Sequence, residues 1–309
     1  MGALSQMADF LPKSSVPFGF PPSPSHHSEG EKFMKDLSNE NVIHVKKEGV
    51  QYIQFRRLLE YSDIINHAYS IGIDKDYRTE RAGNVKVSHE ELEKAKDNFK
   101  ELTSAINTNY KNIVKARQKH TKNIKIVEEK GNEPEFYSEN FINTDGLITN
   151  KPNIMLSTSN ADCILLLFFD PIKKVIANTH SGWRGTLQRI SVETVKQMQQ
   201  NYGTNPQDII CCMCPSIRKC HFEVSEKEKD LFENEFKELQ GFIKETTPKE
   251  KWHIDTIYIN KEILKHAGLR EENIVDSGIC SVCESSQIHS YRAEGKNYGL
   301  ATALIEIKG

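Results

Sequence analysis

The spacing of apolar residues changes several times along the chain, between the pattern typical of β-strands and the pattern typical of α-helices. Strands are predicted where short apolar or alternating runs lie between turn residues, at residues 42–45, 52–55, 113–116 and 124–127. A helix is predicted over residues 89–108, because Ser88 and Glu91 have the spacing of a capping box. The apolar positions that recur every three or four residues in this helix are Leu92, Ala95, Phe99, Leu102 and Ile106.

The centre of the chain is its most apolar part. Residues 163–169, with the sequence CILLLFF, run without a polar residue to a turn at residues 170–171, and an apolar pattern resumes at residues 175–178. These two runs predict a buried pair of neighbouring strands. Residues 182–185 then open a helix that is predicted to end near Gly203.

Further elements complete an alternation of strands and helices. Ser225 and Glu228 predict the start of another helix, and a further helix is predicted to end at Gly268. Strands are predicted at residues 209–213, 274–276 and 300–307. Because the chain has no internal repeat, this mixture predicts a single α/β domain over residues 41–309, in which mixed β-sheets are layered with helices.

Composition and charge limit the classes of partner. Residues 1–40 hold five of the 11 prolines, and we expect them to be a disordered N-terminal extension without chemistry. A net charge of -2 argues against binding of nucleic acid or anionic lipid through bulk charge. No apolar run approaches the roughly 20 residues that span a bilayer, and the start of the chain lacks a secretory pattern. We therefore expect a cytoplasmic protein that binds no membrane.

The cysteines are seven in number and do not form the framework of a small secreted protein, so we expect reduced thiols. Cys280 and Cys283 form a CxxC pair, which together with the cysteines between Cys211 and Cys220 is compatible with a structural zinc site. Cysteines near strand ends are more commonly small buried residues. The sequence leaves both interpretations open for Cys211, Cys212, Cys214, Cys220, Cys280 and Cys283.

Three potential metal ligands lie where predicted strands begin or end. Cys163 begins the buried apolar strand, His180 ends the next strand, and His120 lies in the loop after a third. Side chains at strand ends on one edge of a sheet converge on a common cleft. Two imidazoles and one thiolate leave one coordination position of zinc open, as in catalytic zinc sites. Their spacing matches no compact motif, so the pattern alone leaves open that Cys163 is a core residue and His120 a solvated one.

Five separate motifs, in one order along the chain, resemble those of a known family. They are TDGLIT at 144–149, ADC at 161–163, HSGWRG at 180–185, CPSIRKCHFEV at 214–224 and CSVCESSQIHSYRAEG at 280–295. Together they resemble the laccase-domain family, first called multicopper polyphenol oxidoreductases and later recognised as zinc-dependent purine nucleoside enzymes. The family's metal ligands fall here on His120, Cys163 and His180.

The resemblance implies an activity as well as a metal. It implies phosphorolysis of adenosine, inosine and S-methyl-5′-thioadenosine, with hydrolytic deamination of adenosine as a second activity, and Zn²⁺ as the cofactor with copper as an alternative. The implied partners are purine nucleosides and inorganic phosphate, in a monomer or small homo-oligomer. Phosphate needs cationic donors, and Arg184 in the catalytic centre and Arg292 at the substrate are the candidates. Asp145 is a candidate to bind a ribose hydroxyl, although Asp before Gly is also a common turn residue.

Three other functions are compatible with the same residues. The older family name suggests a copper-dependent polyphenol oxidase, but the 11 histidines include no HxH pair near the candidate site. A metal-free cysteine hydrolase or deamidase would use Cys163 as nucleophile and His180 as base. A binding or assembly module with a vestigial site would need none of these groups. Metal content separates the cysteine hydrolase from the zinc-dependent purine enzyme, because a thiolate bound to zinc is not free to attack.

Overall fold

Fifteen strands and seven helices make up the part of the chain that this computed structural model describes, residues 35–79, 87–130, 141–246 and 251–309. The strands are β1 Val42–Lys47, β2 Val50–Phe55, β3 Ile65–Ile71, β4 Ile113–Lys115, β5 Ile124–Ile126, β6 Gly146–Thr149, β7 Met155–Asn160, β8 Ile164–Asp170, β9 Val175–Ser181, β10 Ile210–Met213, β11 Glu223–Ser225, β12 Ile243–Glu245, β13 Lys251–Ile254, β14 Ile274–Asp276 and β15 Ala301–Ile307. The helices are α1 Arg56–Leu59, α2 His89–Ala105, α3 Trp183–Leu187, α4 Ile190–Tyr202, α5 Glu226–Glu235, α6 Thr256–His266 and α7 Tyr291–Glu294.

The strands form two six-stranded sheets and one small sheet. The first sheet has the order β1-β2-β3-β15-β7-β4, the second β14-β10-β8-β9-β6-β5, and the third β11-β13-β12. Pairing is antiparallel except for β4 with β7, β10 with β14, and β5 with β6, which are parallel. The predicted fold class, a single α/β domain with mixed sheets, is therefore confirmed.

The two large sheets contact each other through their central strands. Strands β7 and β15 of the first sheet lie against β8 and β9 of the second. Asn178 on β9 joins them, because its amide nitrogen donates to the carbonyl oxygens of Leu156 (3.0 Å) and Ala303 (2.8 Å), and its amide oxygen accepts from Thr158. A buried amide with all these partners fixes the register between the sheets. It thereby fixes the ends of β8 and β9.

Helices cover the outer face of each large sheet. Phe99 and Leu102 of α2 pack with Tyr52 and other apolar residues of the first sheet. Val195 of α4 and Leu264 of α6 pack in the same way against the second sheet. The residues Asp36–Gly309 form one compact unit. No helix in the described part of the chain has both the length and the apolar character required to cross a bilayer.

Most local predictions agree with this structure. The capping boxes at Ser88 and Ser225 are both present, and Gly203 ends α4 in the left-handed conformation with φ 65°. The single helix predicted from residue 182 to Gly203 is wrong: it is broken into α3 and α4 at Arg189, whose φ is 55°. The Arg189 guanidinium binds the Glu235 and Glu238 side chains at 2.6 and 2.7 Å, which holds the break. The predicted N-terminal extension falls almost entirely on residues 1–34, outside the described residues.

The buried histidine His67 on β3 makes the stability of the fold depend on pH. Its Nε2 accepts a hydrogen bond from the Phe55 backbone N–H at 2.8 Å, and burial lowers the pKa of His67 to about 3. Between pH about 6.5 and about 3 the unfolded chain therefore binds a proton that the folded chain does not. The free energy of unfolding must fall as the pH falls through this window.

We expect the His67→Gln substitution to remove most of this dependence while keeping an acceptor for Phe55. At pH 4.5 the need to keep His67 unprotonated lowers the free energy of unfolding of the wild type by about 2–3 kcal/mol. The variant has no histidine at this position and does not lose this amount. Urea unfolding of both proteins at pH 7.5 and 4.5, in chelator so that metal release does not contribute, measures the difference. An equal loss of stability on acidification in the two proteins would contradict the expectation.

Candidate metal centre

The three predicted metal ligands meet at one end of the second sheet. Cys163 directly precedes β8, His180 lies at the end of β9, and the two strands pair so that Leu165 is opposite His180. His120 reaches the same place from the loop between β4 and β5. The sulfur and one ring nitrogen of each histidine all lie within 4.8 Å of one another. The sheet register, rather than sequence spacing, brings these three residues together.

The geometry fits a single divalent ion. The Cys163 Sγ and the His120 Nε2 are 3.8 Å apart, and the His120 and His180 rings lie at 78° to each other with their centroids 4.9 Å apart. Bond lengths of about 2.3 Å to sulfur and about 2.0–2.1 Å to nitrogen place the two ligand atoms of a tetrahedral zinc site about 3.5–3.6 Å apart. Three protein ligands of this type leave a fourth position for water or substrate.

Asp145 orients two of the ligands from behind. Its carboxylate binds Nδ1 of His180 at 2.9 Å and accepts the backbone N–H groups of His120 at 3.0 Å and Thr121 at 2.8 Å. Since Nδ1 donates to the carboxylate, Nε2 of His180 carries the lone pair that a metal requires. The Asp145 backbone carbonyl also accepts from the His180 N–H at 2.6 Å. The Asp145 carboxylate thus orients the His180 ring, and the Asp145 backbone carbonyl holds the strand that bears it.

The electrostatics of the centre favour a thiolate. Burial alone raises the pKa of Cys163, but the neighbouring His180 and His120 outweigh it and lower the value to about 6. Burial lowers the pKa of His180, while the Cys163 sulfur and the Asp145 carboxylate raise it to about 9. Burial raises the pKa of Asp145, but the hydrogen bond and charge of His180 and the hydrogen bonds from Thr121 together outweigh it and lower the value to about 2. The His180 imidazole thus lies between two negatively charged groups, the Cys163 thiolate and the Asp145 carboxylate. Negative charges in this arrangement attract a cation.

The backbone on either side of the ligands is strained or tightly held. Asp162 has φ 86°, in the left-handed region that a non-glycine residue rarely adopts. Its carboxylate accepts from the hydroxyls of Ser281 (2.6 Å) and Ser290 (2.7 Å) and from the Arg292 backbone N–H (2.7 Å). His120 has φ 59°. These hydrogen bonds offset the conformational cost and set the direction in which the next residue, Cys163, points.

Gly182 leaves the space that the centre occupies. A Cβ at this position would lie 2.6 Å from His120 Cδ2 and 3.1 Å from Cys163 Sγ, so only glycine allows both ligands to approach. Gly182 was not among the predicted site residues. The feature of the sequence that could have identified it is its position between His180 and Trp183 in the HSGWRG motif.

We expect Gly182→Ala to weaken zinc binding on the order of 10- to 100-fold, because His120 must move away from the shared centre. Competition with a chromophoric zinc chelator measures this effect. Ser181→Ala is the matched control, since the Ser181 hydroxyl bonds to Thr186 at 3.0 Å and to neither ligand. An unchanged zinc affinity in Gly182→Ala would show that the ligands do not converge at this point.

The remaining predicted site residues lie in different surroundings. Arg184 is exposed, with its guanidinium carbon 4.3 Å from the centroid of the Trp183 ring. The Arg292 guanidinium donates to the backbone carbonyls of His221 at 2.8 Å and Glu223 at 3.1 Å. Asp145 has no exposed surface, and its carboxylate contacts His180 and the backbone of His120 and Thr121.

A cavity of about 260 Å³ lies next to the ligand-bearing segments. Its walls include Trp183, which follows Gly182, and Arg292, whose backbone binds Asp162. The residues that line it are Trp183, Phe222, Glu223, Val224, Ser225, Glu228, Phe232 and Arg292. Aromatic walls with one cation and two carboxylates suit a small, flat, polar molecule.

Two mixed sheets carrying two histidines and one cysteine that could hold a metal ion define a class of α/β protein. The model of the multi-copper polyphenol oxidoreductase laccase family matches residues 77–308, and the chain belongs to this family. Solved structures with the same fold include YfiH from Bacillus licheniformis (TM-score 0.72, 24% identity, 83% of this chain and 96% of that chain). YlmD from Geobacillus stearothermophilus is similar (TM-score 0.71, 20% identity, 89% and 100%).

Curated relatives carry names from nucleoside metabolism. Purine nucleoside phosphorylase YlmD from Bacillus subtilis is 31% identical over 209 residues, 67% of this chain and 75% of that protein. Purine nucleoside phosphorylase LACC1 from Homo sapiens is 28% identical over 216 residues, 69% of this chain and 47% of that protein. Adenosine deaminase RL5, from an unknown prokaryotic organism, is 28% identical over 200 residues, 64% and 76%. The chain thus spans less than half of the human protein's length.

Proposed function

We propose that this chain is a zinc-dependent purine nucleoside phosphorylase that also deaminates adenosine. We propose adenosine, inosine and S-methyl-5′-thioadenosine as its nucleoside substrates. The observation that carries the proposal is the convergence of His120, Cys163 and His180, whose ligand atoms lie within 4.8 Å of one another. The names of the bacterial and human relatives support the substrate class.

The donor set and its surroundings fit zinc. Two imidazoles and a thiolate are ligands that zinc accepts, and Gly182 keeps the space between them free of a side chain. When bound, zinc supplies Lewis-acid activation of water or of a polar group on the substrate. The protein's own contribution is orientation, since Asp145 holds His180 in one tautomer and the His120 backbone in one position.

Phosphorolysis requires that phosphate be held against the ribose. A phosphate oxygen forms a bond to C1′, the bond from C1′ to the purine nitrogen breaks, and the base leaves with the electron pair and takes up a proton. Arg184 lies four residues after His180, and Arg292 lines the cavity, so we assign these two cations to the phosphate. In deamination, water instead replaces the 6-amino group, and ammonia leaves.

The test is product analysis with zinc-loaded protein. Adenosine, inosine or S-methyl-5′-thioadenosine is incubated with and without phosphate, and the purines are separated by chromatography. Phosphate-dependent release of adenine or hypoxanthine is expected, together with phosphate-independent conversion of adenosine to inosine. Absence of all these products, from protein shown to contain zinc, would overturn the proposal.

The substitution Arg184→Ala separates the two activities. We expect it to raise the KM for phosphate about 10- to 100-fold, the loss typical of one hydrogen bond to a charged group, and to leave deamination unchanged because water is uncharged. Steady-state kinetics of both reactions measures the split. Arg270→Ala, which removes an exposed arginine paired with Asp208, is the control. A parallel loss of both activities would argue against a phosphate-binding role for Arg184.

One specific feature favours a second candidate, a metal-free cysteine hydrolase. Cys163, His180 and Asp145 are also arranged as nucleophile, base and orienting carboxylate. The two functions predict different reactivities of the Cys163 thiol toward an alkylating agent. A metal-bound thiolate resists iodoacetamide until a chelator is added, whereas a free nucleophile reacts at once and reaction abolishes activity.

A further inference from the structure

Two loops at the same end of the second sheet as the first centre bring a second set of soft ligands together. Strands β10 and β14 pair in parallel, so the loops that follow them leave from the same edge. The first loop carries Cys220 and His221, and the second carries Cys280 and Cys283. A bridge between Ser216 and Cys280 joins the loops, with the Ser281 N–H donating to the Ser216 carbonyl at 3.0 Å.

The four ligand atoms are arranged like the corners of a tetrahedron. The Cys220 sulfur lies 3.5 Å from that of Cys280 and 3.9 Å from that of Cys283. The His221 Nδ1 lies 3.2, 3.7 and 3.6 Å from the sulfurs of Cys220, Cys280 and Cys283. A tetrahedral zinc ion places two sulfurs about 3.8 Å apart and a sulfur and a nitrogen about 3.5–3.6 Å apart. The observed distances lie around these values.

Neither a disulfide nor core packing accounts for this cluster. The sulfurs are free thiols far beyond the bonding distance of about 2.05 Å. Cys220 and Cys283 are exposed, unlike Cys211, Cys212 and Cys214, which have no exposed surface and fit the role of small core residues. Two exposed thiols facing a third and an imidazole need another explanation.

The loop that carries Cys220 and His221 is anchored to β14. The Arg218 guanidinium, held by Asp276 through two bonds of 2.7 Å, lies in the same loop.

We propose that Cys220, His221, Cys280 and Cys283 form a second metal site, a structural zinc site independent of the first. Three thiolates and one imidazole are a ligand set typical of structural zinc, and four protein ligands leave no position for substrate. The bound ion ties the loop after β10 to the loop after β14. Through Ser281, which bonds to Asp162, and the His221 carbonyl, which binds Arg292, it also supports the segments that carry the first centre.

The test counts zinc per chain in the full-length protein. Wild type is expected to hold two zinc ions, and each of Cys163→Ala and Cys283→Ser to hold one. The double variant is expected to hold none. Cys212→Ala, which removes a buried cysteine outside both clusters, is expected to keep two. Because Cys163→Ala removes the first centre, its remaining zinc reports on the second site whether or not the chain has nucleoside activity.

Cobalt binding provides a test that does not require the Cys283→Ser variant to fold. The absorption spectrum of cobalt-loaded Cys163→Ala protein should show tetrahedral cobalt. Its thiolate-to-metal charge-transfer band should have the intensity of about three bound thiolates. The proposal is overturned if Cys163→Ala binds neither zinc nor cobalt, or if Cys283→Ser keeps two zinc ions. It is also overturned if the native protein has a mass about 2 Da below that of the reduced protein and the difference arises from a disulfide in this cluster.

Discussion

Replacing Cys163 by alanine is expected to remove the ion from the first centre and to lower nucleoside turnover on the order of 10³-fold or more. The thiolate is one of three protein ligands, and His120 and His180 alone do not define a tetrahedral site. A Lewis acid contributes several kcal/mol to transition-state stabilisation, and each 1.36 kcal/mol is a factor of about ten in rate. Zinc analysis and product formation from adenosine with phosphate measure both losses.

Two further substitutions separate this outcome from loss of folding and from covalent catalysis. Cys212→Ala removes a thiol on β10 that is more deeply buried than Cys163 and lies outside the centre, and it should retain activity. Cys163→Asp offers zinc a carboxylate, which is also a ligand of catalytic zinc, so partial retention of metal and activity is expected. A carboxylate does not replace a thiolate nucleophile of a cysteine hydrolase. Full activity of Cys163→Ala would contradict both mechanisms.

Elements whose fold depends on local signals were predictable from the sequence. The helix α2 has its capping box at Ser88 and its apolar face in register with the first sheet, and the predicted end differs from Ala105 by a few residues. The strands β8 and β9 follow from an unbroken apolar run and its continuation. In both cases the residues that define the element lie within one segment of the chain.

Strand β7 shows why other elements were missed. Its sequence, MLSTSN, is mostly polar, although all six residues are buried between neighbouring strands and the second sheet. The polar groups are satisfied by long-range partners: the Ser157 hydroxyl pairs with that of Thr302 at 3.0 Å, and Thr158 bonds to Asn178. A buried polar strand of this kind has no periodic apolar signal. Its partners are known only once the fold is known.

The functional residues divide along the same line. His120, Cys163 and His180 are distant in sequence, and the family resemblance, not their spacing, selected them. Asp145 was selected as a candidate for a ribose hydroxyl, and a TDG segment gives no sign that its carboxylate faces His180 inside the protein. For the second cluster, the sequence indicated the CxxC pair together with the cysteines between Cys211 and Cys220, but it did not select which of these complete the set. Its first two ligands, Cys220 and His221, are fixed by the parallel pairing of β10 with β14.

The substitution Asp145→Asn is expected to weaken zinc binding at the first centre about 10- to 100-fold, with a corresponding loss of activity. Every group that contacts the Asp145 carboxylate is a donor. One oxygen accepts from His180 Nδ1 and the His120 N–H, and the other accepts from the N–H groups of Lys119 and Thr121 and from the Thr121 hydroxyl. An asparagine has only one acceptor oxygen, so its NH₂ group must face donors whichever way the amide is turned.

Asp170→Asn is the matched control for this prediction. Asp170 is equally buried, but one of its carboxylate oxygens accepts the N–H groups of Ile172 and Lys173, while the other has no hydrogen-bond partner. An asparagine there keeps its acceptor and turns its NH₂ group to the unused side. Asp145→Asn should also lower the free energy of unfolding of metal-free protein by about 1–3 kcal/mol through buried donors left without an acceptor, and Asp170→Asn should lower it less. Equal zinc affinities of the two variants would mean that the Asp145 carboxylate does not orient His180 for the metal.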